Sequence, residues 1–232
     1  MMAVSLKASY RTVALIGAIG LAAHLGSLYL FALVGRFDQG ADSELLGSYD
    51  IIQALGLTVM MCAISISATV IYARRIIPLY SGNRRVLLYS YPDGREKTYV
   101  LMHRRFYLEV LIATLFASVA GSTLFLTSEL VVPLVEDPAL PFTNGGDYAQ
   151  ALSLSAMSVL IAVIAGSIGL TRRSPLTAVV ASVVLVALLA NGAAGYVLQA
   201  GWIVLLALIV LTVLASLLFL YNYRMIRSEE IL

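Results

Sequence analysis

Long apolar runs separated by short charged segments dominate the chain. The runs cover residues 12–34, 51–77, 106–130 and 149–170, followed by residues 176–223, which carry no charge at all. A helix rises 1.5 Å per residue, so about 20 apolar residues cross the roughly 30 Å of a bilayer's hydrocarbon. The first four runs have that length. The last is about twice as long and is expected to turn once, at Gln199, Ala200 and Gly201, with Trp202 at the interface. The pattern therefore predicts an all-α bundle of six transmembrane helices. Pro78 and Pro133 stand just past the second and third runs, where a helix can stop. The first run is too long for the apolar part of a secretory signal and reads as an uncleaved span.

Composition agrees: 60% of the 232 residues are hydrophobic and 12% are charged, about half the charged share of a soluble domain. Residues 1–232 thus read as a single polytopic domain. The distribution of charge then orients it. Cytoplasmic loops retain lysine and arginine. Of fifteen such residues, all but Arg36 fall on one side of the proposed spans. The other side collects Asp38, Asp42, Glu44, Asp50, Glu136, Asp137 and Asp147. The expected topology is a multi-pass protein of the cell membrane with both termini in the cytoplasm and the bilayer as its immediate partner.

Between the second and third spans, residues 85–91 and 95–101 are rich in strand-favouring side chains and flank Pro92, Asp93 and Gly94. Those three suit a tight turn, so residues 81–104 are expected to form a cytoplasmic β-hairpin insertion. A period of two gathers Tyr89, Tyr91, Arg95, Lys97 and Tyr99 on one face, near Arg84 and Arg85. This basic, aromatic face is a candidate for docking lipid headgroups or a cytoplasmic partner. Nucleic acid is a less favoured occupant, because arginine and tyrosine beside spans already follow from orientation and interface chemistry.

Candidate chemistry inside the spans is sparse. His24, Asn191 and Glu129 form the candidate intramembrane polar set, since ionisable and amide groups at that depth need a partner or a task. Asn191 opens an Asn-Gly-Ala-Ala-Gly stretch that could break the fifth helix locally. Glu109 follows Arg105 by four residues, the spacing of a local ion pair. Ala14, Ala18, Ala22 and Gly26 form one small-residue line on the first span; Gly17, Gly20, His24 and Ser27 form another. Thr58, Cys62, Ser65 and Thr69, and likewise Thr114, Ser118 and Ser122, share helix faces that either pack or line a path.

The chain contains no phosphate-binding glycine loop, His-Glu-x-x-His pair, paired-cysteine spacing or nucleophile elbow, and its one cysteine, Cys62, lies in an apolar run. No catalysis, cofactor or metal is expected. The expected function is a permease-like transport or channel component acting within a larger complex, with other membrane subunits or further copies of the chain as partners. The alternative is a scaffold or accessory subunit through which nothing passes.

Overall fold

A computed structural model describes residues 2–37, 48–81, 95–135, 145–193 and 201–228. Among these there are six α-helices and no strand: α1 (Met2–Phe37), α2 (Tyr49–Arg75), α3 (Arg95–Glu129), α4 (Gly145–Thr171), α5 (Pro175–Ala193) and α6 (Gly201–Ser228). A 3-10 turn, Ile77–Tyr80, follows α2 and carries Pro78 in its first turn, where the missing N–H costs nothing. Five helices are long and apolar enough to cross a membrane; α5 is shorter. Multi-pass membrane character follows from these lengths and compositions.

The second strand expected over residues 95–101 is instead the first two turns of α3. Its alternation of strand formers is overridden by a longer three-four spacing. Tyr99, His103, Phe106, Val110, Ala113 and Ala117 fall on one helical face, and all are buried. Helix α3 is consequently 35 residues long, or about 52 Å, well beyond a bilayer's hydrocarbon thickness. The expected first strand, with Arg84, Arg85, Tyr89 and Tyr91, lies outside the described residues.

Helices α2 and α4 occupy the centre. In the span of α4, 72% of positions are buried, against 17% in that of α6, which lies at the edge. Helix α1 packs on α2 and α3; α5 and α6 pack on α4. The main core includes Leu57, Met60, Ile64, Tyr72, Leu154 and Ile161. A smaller cluster of Leu28, Ile52, Tyr49, Phe125 and Val135 closes one end.

Polar contacts show which helix ends meet. At that same end Tyr29 donates to Ser128 Oγ at 2.6 Å, and Arg36 Nη1 donates to the Pro133 carbonyl at 3.2 Å. At the opposite end Arg75 donates to Thr12, and Asn222 Nδ2 donates to the Ser167 carbonyl at 3.0 Å. The starts of α1 and α3 thus lie with the ends of α2, α4 and α6. Arg11, Arg74, Arg75, Arg104, Arg105, Arg172, Arg173, Arg224 and Arg227 are gathered there, and Arg36 is at the far end.

The break between α4 and α5 is set locally. Ser174 N–H reaches the Gly169 carbonyl and Arg173 N–H the Leu170 carbonyl, the paired bonds of a Schellman cap, with Arg173 in the left-handed region at φ 51°. Ser174 Oγ then accepts from Thr177 N–H at 3.3 Å, and Pro175 occupies the first position of α5. This reversal presses Gly169 against Ala178, leaving no room for a Cβ.

Candidate functional site

The first buried polar centre surrounds His24, on the inward face of α1 with Ile16, Gly20 and Leu28. Ser122 on α3 donates its hydroxyl hydrogen to the Ser118 carbonyl at 2.9 Å, the usual recourse of serine in an apolar helix. Its oxygen is then an acceptor. Gln53 Nε2 donates to it at 2.6 Å, and Tyr49 donates to Gln53 Oε1 at 3.4 Å. His24 Nε2 lies 3.2 Å from the same oxygen, so the proton belongs on Nε2. His24 Nδ1 lies against the Gly56 backbone without a hydrogen bond of good geometry. The ring is wedged between backbones: a Cβ on Gly56 would lie 3.3 Å from Nδ1, and one on Gly121 would overlap the ring itself. The centre is tightly packed.

The second centre lies toward the arginine-rich end. His103 Nδ1 donates to the Tyr99 carbonyl at 2.7 Å, which leaves Nε2 to accept the Tyr72 hydroxyl at 2.5 Å. Both ring nitrogens are occupied. Aromatic rings enclose His103: Tyr99 at 4.0 Å between centroids, Tyr72 at 5.5 Å, Tyr107 at 5.9 Å and Phe219 of α6 at 6.1 Å. The rings meet mostly edge-on or tilted, the arrangements that aromatic quadrupoles favour. Just outside, Glu96 receives the Tyr223 hydroxyl at 2.6 Å and Arg227 Nε at 3.2 Å, tying the start of α3 to the end of α6.

The expected polar set is not one site. His24 joins Ser122, a member of the α3 hydroxyl line. Glu129, two turns farther along α3, is buried and directs Oε2 at the Leu134 and Val135 N–H groups, at 2.7 and 3.0 Å, so that it caps the turn leaving the helix. Asn191 is exposed on α5, which remains helical through Ala193 without a break at that residue. Of the expected docking face, Lys97 is exposed, whereas Tyr99 is fully buried and cannot belong to an outward aromatic surface. Arg95 begins α3.

Gln53, Tyr49 and Tyr72 were not singled out by sequence reasoning. Gln53 carried a signal, being an amide in a span beside Gly56. His103 stands between Met102 and Arg104, which favours an interfacial reading, and only the packing of Phe219 and Tyr99 reveals its burial. The pair Arg105 and Glu109 forms as its spacing predicts, at 3.1 Å.

The hydroxyl lines are inward and, except for Ser118, whose buried hydroxyl meets no partner, self-satisfied. Thr58, Ser65, Thr69, Thr114, Ser122 and Ser158 each donate to the carbonyl four residues earlier. The two lines on α1 separate sharply: Gly17, Gly20, His24 and Ser27 are buried, while Ala14, Ala18, Ala22 and Gly26 are exposed. The two histidines cannot share one ligand such as a haem. His24 packs at Gly121, eighteen residues along α3 from His103, an axial separation of about 27 Å. Among the described residues no three His, Cys, Asp or Glu side chains group as a metal site would require. The chain matches no protein-family model, no curated protein and no solved structure.

Proposed function

We propose that this chain is a non-catalytic, six-span subunit of a larger cell-membrane complex, acting as a scaffold or accessory element rather than carrying solute through its own bundle. The observation behind this reading is the state of the hydroxyl lines. Apart from Ser118, whose buried hydroxyl meets no partner, their hydrogens are bound to their own helices and their side chains are buried between helices, so they offer an ion or polar solute little replacement for its hydration shell. The exposed small-residue line of α1 and the broad outward face of α6 supply surface for lipid and neighbouring subunits.

In this reading α5 also crosses the membrane, as the fifth of six spans. Its 19 residues reach about 28 Å and are uncharged, and both flanking helices have their ends at the arginine-rich side. That side is the cytoplasmic one, because arginine resists translocation. Cysteine labelling in intact cells tests the topology in a Cys62→Ala background. Protection of Arg172→Cys with labelling of Val131→Cys is the expected result, and the reverse pattern overturns the orientation.

The functional test is flux. Purified protein in liposomes should pass no ions or small solutes above empty vesicles, while mild-detergent extraction should retain stoichiometric membrane partners. Robust flux from the isolated chain would replace this proposal with a transport or channel role. One observation favours that second reading: a buried imidazole linked to Ser122 and Gln53 within spans. It requires that His24→Gln abolish flux while leaving insertion intact.

A further inference from the structure

Where helices α4 and α6 meet at the arginine-rich end, a groove of about 280 Å³ is lined by Ile168, Thr171, Arg172, Leu218 and Tyr221. We propose that this groove binds one anionic phospholipid, with the phosphate held by Arg172 and Arg224 and an acyl chain lying along Ile168 and Leu218. The inference rests on the chain being membrane-embedded and is independent of whether it scaffolds or transports.

Three features select this occupant. The first is charge. The Schellman turn holds Arg172 at the mouth, where its side chain is exposed, and Arg224 is exposed one turn beyond Tyr221 on α6. From Arg172 to Ser228 the sequence has no aspartate or glutamate, Glu229 and Glu230 following beyond the described residues, and Glu96, which reaches α6 from α3, is engaged with Arg227 and Tyr223. The second is the lining. Apart from Arg172 and the Tyr221 hydroxyl the groove offers little to a soluble anion: Thr171 is turned to Asn222 Oδ1 at 2.9 Å, and Ile168 and Leu218 are hydrocarbon. The third is position. The groove lies on the least buried of the five long helices, and exposed Leu214 and Leu217 continue its apolar wall toward the bilayer centre. Cations and a tyrosine above an apolar lane match a headgroup above an acyl chain.

The test uses full-length protein in mild detergent, with phosphatidylglycerol or phosphatidylcholine added and retained lipid counted by native mass spectrometry. One phosphatidylglycerol should be held in preference to phosphatidylcholine. The Arg172→Gln/Arg224→Gln variant should bind it more weakly by about fivefold per arginine, or about 25-fold in all. Leu218→Trp, which fills the groove and keeps every charge, should also release it. Equal retention of the two lipids, or undiminished phosphatidylglycerol binding in either variant, overturns the proposal. Inorganic phosphate at millimolar concentration should leave the melting temperature unchanged; a shift equal to that from phosphatidylglycerol would mark a free-anion site and overturn the lipid assignment. Should the double variant lose its helical circular dichroism, Leu218→Trp alone decides.

Discussion

The protein buries two histidines in opposite ways. His103 sits in a box of aromatic rings with a partner for each nitrogen, whereas His24 sits between two glycine backbones with one nitrogen satisfied and the other without a hydrogen bond of good geometry. The first arrangement is side chain on side chain, built from bulk and able to draw α2, α3 and α6 together. The second is side chain on backbone, built from missing Cβ atoms, and it lets α1 approach α2 and α3 closely. A buried imidazole in a span therefore need not signal chemistry. One is held by full hydrogen bonding, the other by steric enclosure.

The largest expected effect falls on the aromatic box. Tyr72→Ala removes a fully buried ring and the donor to His103 Nε2, and should cost about 3–5 kcal/mol, read as a lowered denaturation midpoint in detergent. An effect under 1 kcal/mol would mean that the box does not hold the helices together. Next comes the glycine cradle. Gly121→Ala should cost about 1–3 kcal/mol by overpacking against His24, and His24→Ala in the same chain should recover much of it. Simple additivity of the two changes would show that the ring does not rest there.

Smaller effects test the periphery. Glu96→Gln weakens the tie from α3 to α6 and should lower the melting temperature slightly, with the difference shrinking in 1 M salt, a typical screening concentration for exposed pairs. A salt-independent difference would assign the effect to packing of Tyr223. The smallest change should be favourable: Arg173→Gly relieves a left-handed backbone and should stabilise by at most about 1 kcal/mol, measured by the same melt. Destabilisation there would show that the Arg173 side chain contributes more than the backbone strain removes.

Much of the bundle was legible in the sequence because lipid makes a coarse demand: apolar length and charge distribution suffice to read it. The runs ending at Pro78 and Pro133, the reversal beside Pro175 and the start of α6 near Gly201 all follow that logic. Residues 95–101 misled because Tyr99, Val100 and Leu101 satisfy a strand's period as well as a helix's over so few positions. Reading onward through Phe106 and Val110 would have extended the helix. The polar residues were harder. Nothing local distinguishes Glu129 as a capping carboxylate, since its partners, the Leu134 and Val135 N–H groups, become available only when the chain turns.

Chain order and chemistry alone determined that this protein is built on long apolar helices and that its arginines, Arg36 excepted, fall in alternate connections between the expected spans. Tertiary structure decided which buried polar groups meet. Gln53 and Ser122 are 69 residues apart and Tyr72 and His103 are 31 apart, so no sequence period relates them. Burial of an apolar run depends on its own composition, whereas satisfaction of a polar atom depends on one partner within about 3 Å. Only the packing of one helix against another specifies that partner.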